Sequence, residues 1–393
     1  MSTFRYLCSK QLTELLNKIT YQRFMSVRRF VKLVASKQCW PKQKNPPAES
    51  LLESWYYEVD PFGLLKIKVP FNIQVKSLNP ETHPKMNRVI VQIISVSVGD
   101  QAVEKPMVLP LMYDLKTQVN HVANEIEVTA TVQRGVTLPI ECIVQAPIKM
   151  NLNIESDNGS IAVMGFENDH VDVNLHQGQC ILNNIKSKKV NIVNNGGNIV
   201  SNDVLQASID LQTKGKGDIK GARLQGTSVQ CRTEEGDINI QDLYAETSRI
   251  ETVCGSIKLG SCHGNTSISI GHGSLKIASV DGNLDAHVTE GQTDVYIVRH
   301  EDVRITCNKG DITLKYSDTT ESQLELLADD VSFDQQMKAT LKETHLEKGI
   351  SYKGFINKES DKHIKVSTYQ GKISLMLHDW LASIGLKQTS PRT

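Results

Sequence analysis

Asn158-Gly159-Ser160-Ile161, Gly197-Asn198-Ile199, Gly217-Asp218-Ile219, Gly236-Asp237-Ile238, Gly255-Ser256-Ile257, Gly273-Ser274-Leu275 and Gly310-Asp311-Ile312 restate one phrase: a glycine, a small or polar residue, an aliphatic. Gly178 and Gly291 fall in the same series, whose successive steps are 19, 19, 20, 19, 19, 18, 18 and 19 residues. A fixed period of this size marks a repeat architecture in which each unit buries its apolar face only against its neighbours. The glycine supplies a tight turn, and the alternating residues after it point inward and outward by turns. Ile238/Ile240, Ile257/Leu259, Leu275/Ile277 and Ile312/Leu314 then stack as core columns, and a second glycine at Gly226, Gly264 and Gly282 marks another corner. The expectation is an all-β chain built on a single-stranded, β-helix-like β-solenoid of about nine coils of 18–20 residues between Asp157 and Asp318. At about 4.8 Å per coil this makes a rod of roughly 45 Å before its caps.

Both ends of such a rod expose strand edges that need covering. Residues 49–150 alternate in Leu64-Leu65-Lys66-Ile67-Lys68-Val69 and in Val89-Ile90-Val91-Gln92-Ile93 but lack the period, and are expected to form a β-rich N-terminal cap. The solenoid is placed at 151–320. A polar segment follows in 321–393, where Gly371-Lys372-Ile373-Ser374-Leu375 restates the phrase and Trp380, Leu381, Ile384 and Leu386 supply an apolar lid. Aromatics are only 5% of the chain, which suits narrow coils filled with small aliphatic side chains.

The 44 basic and 44 acidic residues are unevenly distributed. Residues 1–48 hold ten basic side chains and one acidic, Glu14, a net of about +9, so the remainder carries about −9. Leu12, Leu15, Leu16, Ile19, Phe24, Val27, Phe30, Val31 and Val34 recur at helical spacing, giving a basic amphipathic helix. It lacks the apolar run of a secretory signal or a membrane span and reads as a mitochondrial matrix-targeting segment. Arg23-Phe24-Met25-Ser26 resembles an arginine-directed matrix-protease site. The alternatives are a helix that lies on a membrane or a partner, and a cytoplasmic address. The acidic remainder argues against nonspecific nucleic-acid binding.

The eight cysteines (Cys8, Cys39, Cys142, Cys180, Cys231, Cys254, Cys262, Cys307) form no C-x-x-C pair and are expected to be reduced. Phosphate-binding loops, His-Glu-x-x-His, a nucleophile elbow and a dinucleotide fingerprint are missing from the sequence. Residues at equal offset from the turn glycine become neighbours one coil apart. Immediately before the glycine the ladder reads Lys216, Glu235, Cys254, His272, Glu290, Lys309, so Glu235, Cys254, His272 and Glu290 form a candidate metal-binding or nucleophilic cluster. A solvated corner of mixed charge explains the same residues without function. After the glycine, Asp218 and Asp237 stack as like charges that a cation could bridge, or that could serve as acid and base, although Gly-Asp is also an ordinary turn.

The glycine phrase at this period, preceded by Val144-Gln145-Ala146-Pro147-Ile148-Lys149-Met150, resembles the adhesin-labelled β-strand family called domain of unknown function 4097, over roughly residues 135–320. His263-Gly264-Asn265-Thr266 through Gly273-Ser274-Leu275, Asp294-Val295-Tyr296-Ile297 and the Trp380 tail most resemble an animal member. The resemblance implies a β-solenoid without an assigned catalytic centre. The functional expectation is a non-catalytic scaffold or protein-interaction module with no cofactor and no metal, acting on unidentified protein partners and able to self-associate through the solenoid ends. A carbohydrate-active β-helix enzyme or a surface adhesin-like binding protein is the alternative. An enzyme of this architecture carries long insertions with clustered carboxylates on one face, and periods of 18–20 residues leave no room for one.

Overall fold

A computed structural model describes residues 51–95, 113–132, 140–333, 341–346 and 349–378. The basic leader and the Trp380 lid lie outside the described residues. The described chain is all-β, with no helix, and forms a β-solenoid. In chain order the N-terminal strands are β1 (Leu51–Glu58), β2 (Leu64–Lys68), β3 (Asn72–Ser77), β4 (Arg88–Ser95), β5 (Tyr113–Asn120), β6 (Glu125–Val132) and β7 (Ile140–Ala146). The stack continues with β8 (Asn151–Ser156), β9 (Ile161–Met164), β10 (Glu167–Leu175), β11 (Cys180–Asn183), β12 (Ile185–Asn194), β13 (Ile199–Thr213), β14 (Ile219–Thr233), β15 (Ile238–Cys254), β16 (Ile257–His272), β17 (Leu275–Glu290), β18 (Thr293–Arg299), β19 (Asp302–Lys309) and β20 (Ile312–Tyr316). It closes with β21 (Ser322–Ala328), β22 (Asp330–Ser332), β23 (Leu341–His345), β24 (Ile350–Ile356), β25 (His363–Thr368) and β26 (Lys372–Leu377).

From β8 to β20 every coil pairs parallel with the next, and the register follows the glycine phrase. Ile199, Ile219, Ile238, Ile257, Leu275, Thr293, Ile312 and Ile373 form one column, each the strand partner of the one before. All are buried, and each aliphatic member contributes about 1.5–3 kcal/mol by leaving water. The turn glycines stack as well. A Cβ on Gly197 would sit 1.9 Å from the Gly178 carbonyl oxygen, so the close approach of successive turns excludes any side chain. That carbonyl also needs a donor, and the inner corner supplies one: Thr213 Oγ1 donates to Gly217 O, Thr233 Oγ1 to Gly236 O and Asn194 Nδ2 to Gly178 O. These buried polar residues satisfy turn carbonyls and occupy no functional cleft.

The stack extends beyond the periodic stretch at both ends, out of chain order. At the N-terminal end β2 and β3 pair parallel with β8 and β9, and on their other side with β6 and β7. Phe71 stands where a turn glycine would, with Gly159 against its carbonyl, which is why no phrase marks this coil. Strands β4 and β5 then cover β7 and β6 in antiparallel pairing, and β1 covers β4. At the C-terminal end β25 and β26 pair with β19 and β20, while β21 and β22, earlier in the chain, stack outside them. The hairpin of β23 and β24 lies antiparallel on β21. Reversing strand direction at the ends interrupts the parallel template that would otherwise extend from coil to coil.

Candidate functional site

The corner after the turn glycine uses its polar side chains to hold backbone. Asp218 Oδ1 accepts the N–H of Asp237 (3.0 Å), Asp237 Oδ1 accepts that of Ser256 (2.8 Å), and Ser256 Oγ accepts those of Ser274 (3.3 Å) and the Ser274 hydroxyl (2.9 Å). The same rung recurs as Asn198 to Asp218 and Asp311 to Lys372. Stacked like charges are tolerated here because each carboxylate receives a backbone donor and faces water.

The corner before the glycine carries the candidate cluster. Cys254 and His272 are register partners, as are His272 and Glu290. His272 Nδ1 lies 3.5 Å from Glu290 Oε2, and Lys309 Nζ lies 2.6 Å from the other carboxylate oxygen and holds it below the usual carboxylate range. Cys254 is exposed, and its backbone N–H donates to Glu234 O. Glu235 is exposed on the coil before, and it is Glu234 that reaches back to the Gly215 N–H. Among the described residues no three or more His, Cys, Asp or Glu side chains are grouped to hold a metal ion. Cys142 and Cys180 are buried and their thiols are pushed up to about 12 by loss of water, while burial raises Cys231 as well, so these three are unreactive core residues.

A different ladder runs along the second corner. Tyr244, His263, Asp281 and Arg299 are successive register partners on β15, β16, β17 and β18. The Tyr244 and His263 rings stack at 4.3 Å with 15° between planes. His263 Nδ1 lies 3.2 Å from Asp281 Oδ2, and Arg299 grips both carboxylate oxygens, Nε donating to Oδ1 at 2.8 Å and Nη2 to Oδ2. The Arg299 guanidinium first, and His263 less, keep the Asp281 carboxyl below its ordinary range. On the opposite side of Tyr244, the Arg223 guanidinium carbon lies 5.8 Å from the ring centre and Nη2 3.5 Å from Asp242 Oδ2.

Both faces of Tyr244 are therefore occupied, so the ring offers its edge and hydroxyl rather than a stacking platform. Asp281 is locked as an anion, the wrong state for a proton donor at neutral pH. What remains outward is a rigid row of Arg, Tyr and His across several coils. In the sequence this row is signalled by the residue preceding the second-corner glycines, His263 before Gly264 and Asp281 before Gly282, although Tyr244 precedes Ala245 and Arg299 precedes His300.

Residues 206–376 match the family model described as Toastrack DUF4097, a span from β13 to β26 that includes the out-of-order C-terminal coils. The solved structures similar to this chain include two crystal structures of adhesion-labelled bacterial proteins. One, a candidate adhesin of Bacteroides fragilis, is 19% identical and covers 59% of this chain and 98% of its own, with a TM-score of 0.42. The other, a candidate cell adhesion protein of Clostridium sporogenes, is 9% identical and covers 83% and 99%, with a TM-score of 0.19.

Proposed function

We propose that the chain is an animal member of the DUF4097 family and a non-catalytic interaction rod of the mitochondrial matrix, which presents the Arg223–Tyr244–His263–Asp281–Arg299 row to a protein partner. The row is the observation that carries this reading. Tyrosine and arginine dominate binding hot spots, and side chains already fixed by stacking and bidentate pairing lose little entropy when a partner arrives. The corner carboxylates, the natural candidates for a glycosidase pair, are engaged with backbone N–H groups. The address rests on the basic, acid-poor, amphipathic character of residues 1–48.

Organelle fractionation with intact-mass measurement tests the address. The matrix reading expects a chain shortened within the leader and free of N-glycans. The surface-adhesin reading expects glycan at the acceptor sequences Asn158-Gly159-Ser160 and Asn265-Thr266-Ser267, whose asparagines are both exposed.

A further inference from the structure

The C-terminal coil made by β25 and β26 lies between two walls that precede it in the chain, β19–β20 below and β21–β22 above. The walls match each other through it. Val303, Ile364 and Leu324 form one apolar column, Ile305, Val366 and Leu326 a second, and Ile312, Ile373 and Val331 a third. A direct closure of β21–β22 onto β19–β20 would keep those columns, but it would set Asp330 on Asp311. In the filled arrangement Lys372 separates the two: its backbone N–H donates to Asp311 Oδ1 at 2.9 Å and its Nζ lies 2.9 Å from Asp330 Oδ2. Like charges facing each other across a strand pair are destabilising, so the Asp311–Asp330 rung disfavours the collapsed state. At the outward rung Lys365 lies between Arg304 and Glu325 in register, its Nζ 3.1 Å from Glu325 Oε2.

The slot also demands a glycine turn. Gly371 sits against Gly310 so closely that a Cβ would meet the Gly310 oxygen at 2.1 Å, and Thr368 Oγ1 donates to the same oxygen. An occupant must therefore carry two apolar-alternating strands, a threonine and a glycine at the turn, and a lysine just after it. Residues 363–377 meet every condition. They are joined to β24 through Asn357-Lys358-Glu359-Ser360-Asp361-Lys362, a polar connection that is mostly exposed.

We propose that this slot accepts residues 363–377 of a second copy of the chain, so that two copies join by exchanging their β25–β26 coils. Exchange reproduces every contact of the single chain and changes only the path of the exposed connection, which makes it an inexpensive route to a dimer. The joint where the chain passes the slot is sealed by His300 Nε2 against Ser322 Oγ (3.0 Å), with Ser322 Oγ donating to Lys362 O, contacts that exchange must break and remake.

Disulfide trapping between copies tests the exchange. Arg304 and Lys365 are outward register partners, one on each side of the β19–β25 pairing. Full-length chains carrying Arg304→Cys or Lys365→Cys, both in a background with Cys8→Ser, Cys39→Ser and Cys254→Ser, are mixed, unfolded, refolded over a range of concentrations and oxidised. A chain carrying both cysteines serves as the geometric control. The expected result is a dimer-mass species that appears only in the mixture, increases with concentration and vanishes on reduction. Monomer mass at every concentration, while the double-cysteine chain closes internally, overturns the proposal. So does failure of that double-cysteine chain to close, since it contradicts the register on which the slot rests.

Discussion

Gly371 packs directly on Gly310, although β21, β22, β23 and β24 all intervene in the chain. The contact joins two turns of the stack, and neither turn has room for a side chain. Gly371→Ala places a methyl group 2.1 Å from the Gly310 carbonyl oxygen, whereas a Cβ on Gly215 meets nothing within 4 Å. The first substitution forces two coils apart and is expected to cost about 2–4 kcal/mol. The second bears only the strain of its positive φ of 58°, about 1–2 kcal/mol. Urea midpoints of the two variants check the order.

The Asp218–Asp237–Ser256 rungs predict a small, cation-independent effect. Asp237→Ala removes the acceptor for the Ser256 N–H and is expected to lower stability by about 1 kcal/mol, while Asp237→Asn keeps an acceptor and costs less. Thermal melts with calcium and with EDTA are expected to coincide. A drop of several degrees in EDTA would mean that a cation bridges the aspartates.

His300 predicts acid sensitivity at the C-terminal joint. Burial, assisted by Lys362 and opposed by Asp302, lowers its pKa from about 6.5 to about 4, so the folded state prefers the neutral ring. A depressed folded pKa means that the unfolded chain takes up the proton first as pH falls. Stability is therefore intact above about 6.5 and is lost progressively between 6.5 and 4, by on the order of 2–3 kcal/mol. Urea titrations of the parent and of His300→Gln at pH 7.5, 5.5 and 4.0 check it. The variant's loss on acidification is expected to be smaller by that amount.

The coil period was legible because a clash of about 2 Å imposes a glycine on each turn of the periodic stretch, and a constraint that repeats leaves a repeating residue. The out-of-order ends were not legible. Nothing in Gly371-Lys372-Ile373 says which coil it will lie against, because Ile373 and Val331 are both acceptable neighbours for Ile312. The choice depends on the Asp311–Lys372–Asp330 column, which only the assembled stack brings together. The β2–β3 coil was hidden for another reason: Phe71 replaces the glycine in its turn. Of the side-chain rows, the Cys254–His272–Glu290 neighbours follow from offset counting alone. The Tyr244–His263–Asp281–Arg299 row needs a second corner whose glycine is missing from two of its four rungs.

Proximity labelling from full-length protein in cells, beside a Tyr244→Ser/Arg299→Ser variant, tests whether this second row binds the proposed partner. Arg299 is exposed and Tyr244 lies on the surface outside the core columns, so the variant is expected to melt within about 2–4 °C of the parent. The parent is expected to label a defined set of matrix proteins, and the variant to lose at least one of them while entering the same compartment. An unchanged set of labelled proteins from a correctly folded, correctly located variant would contradict it.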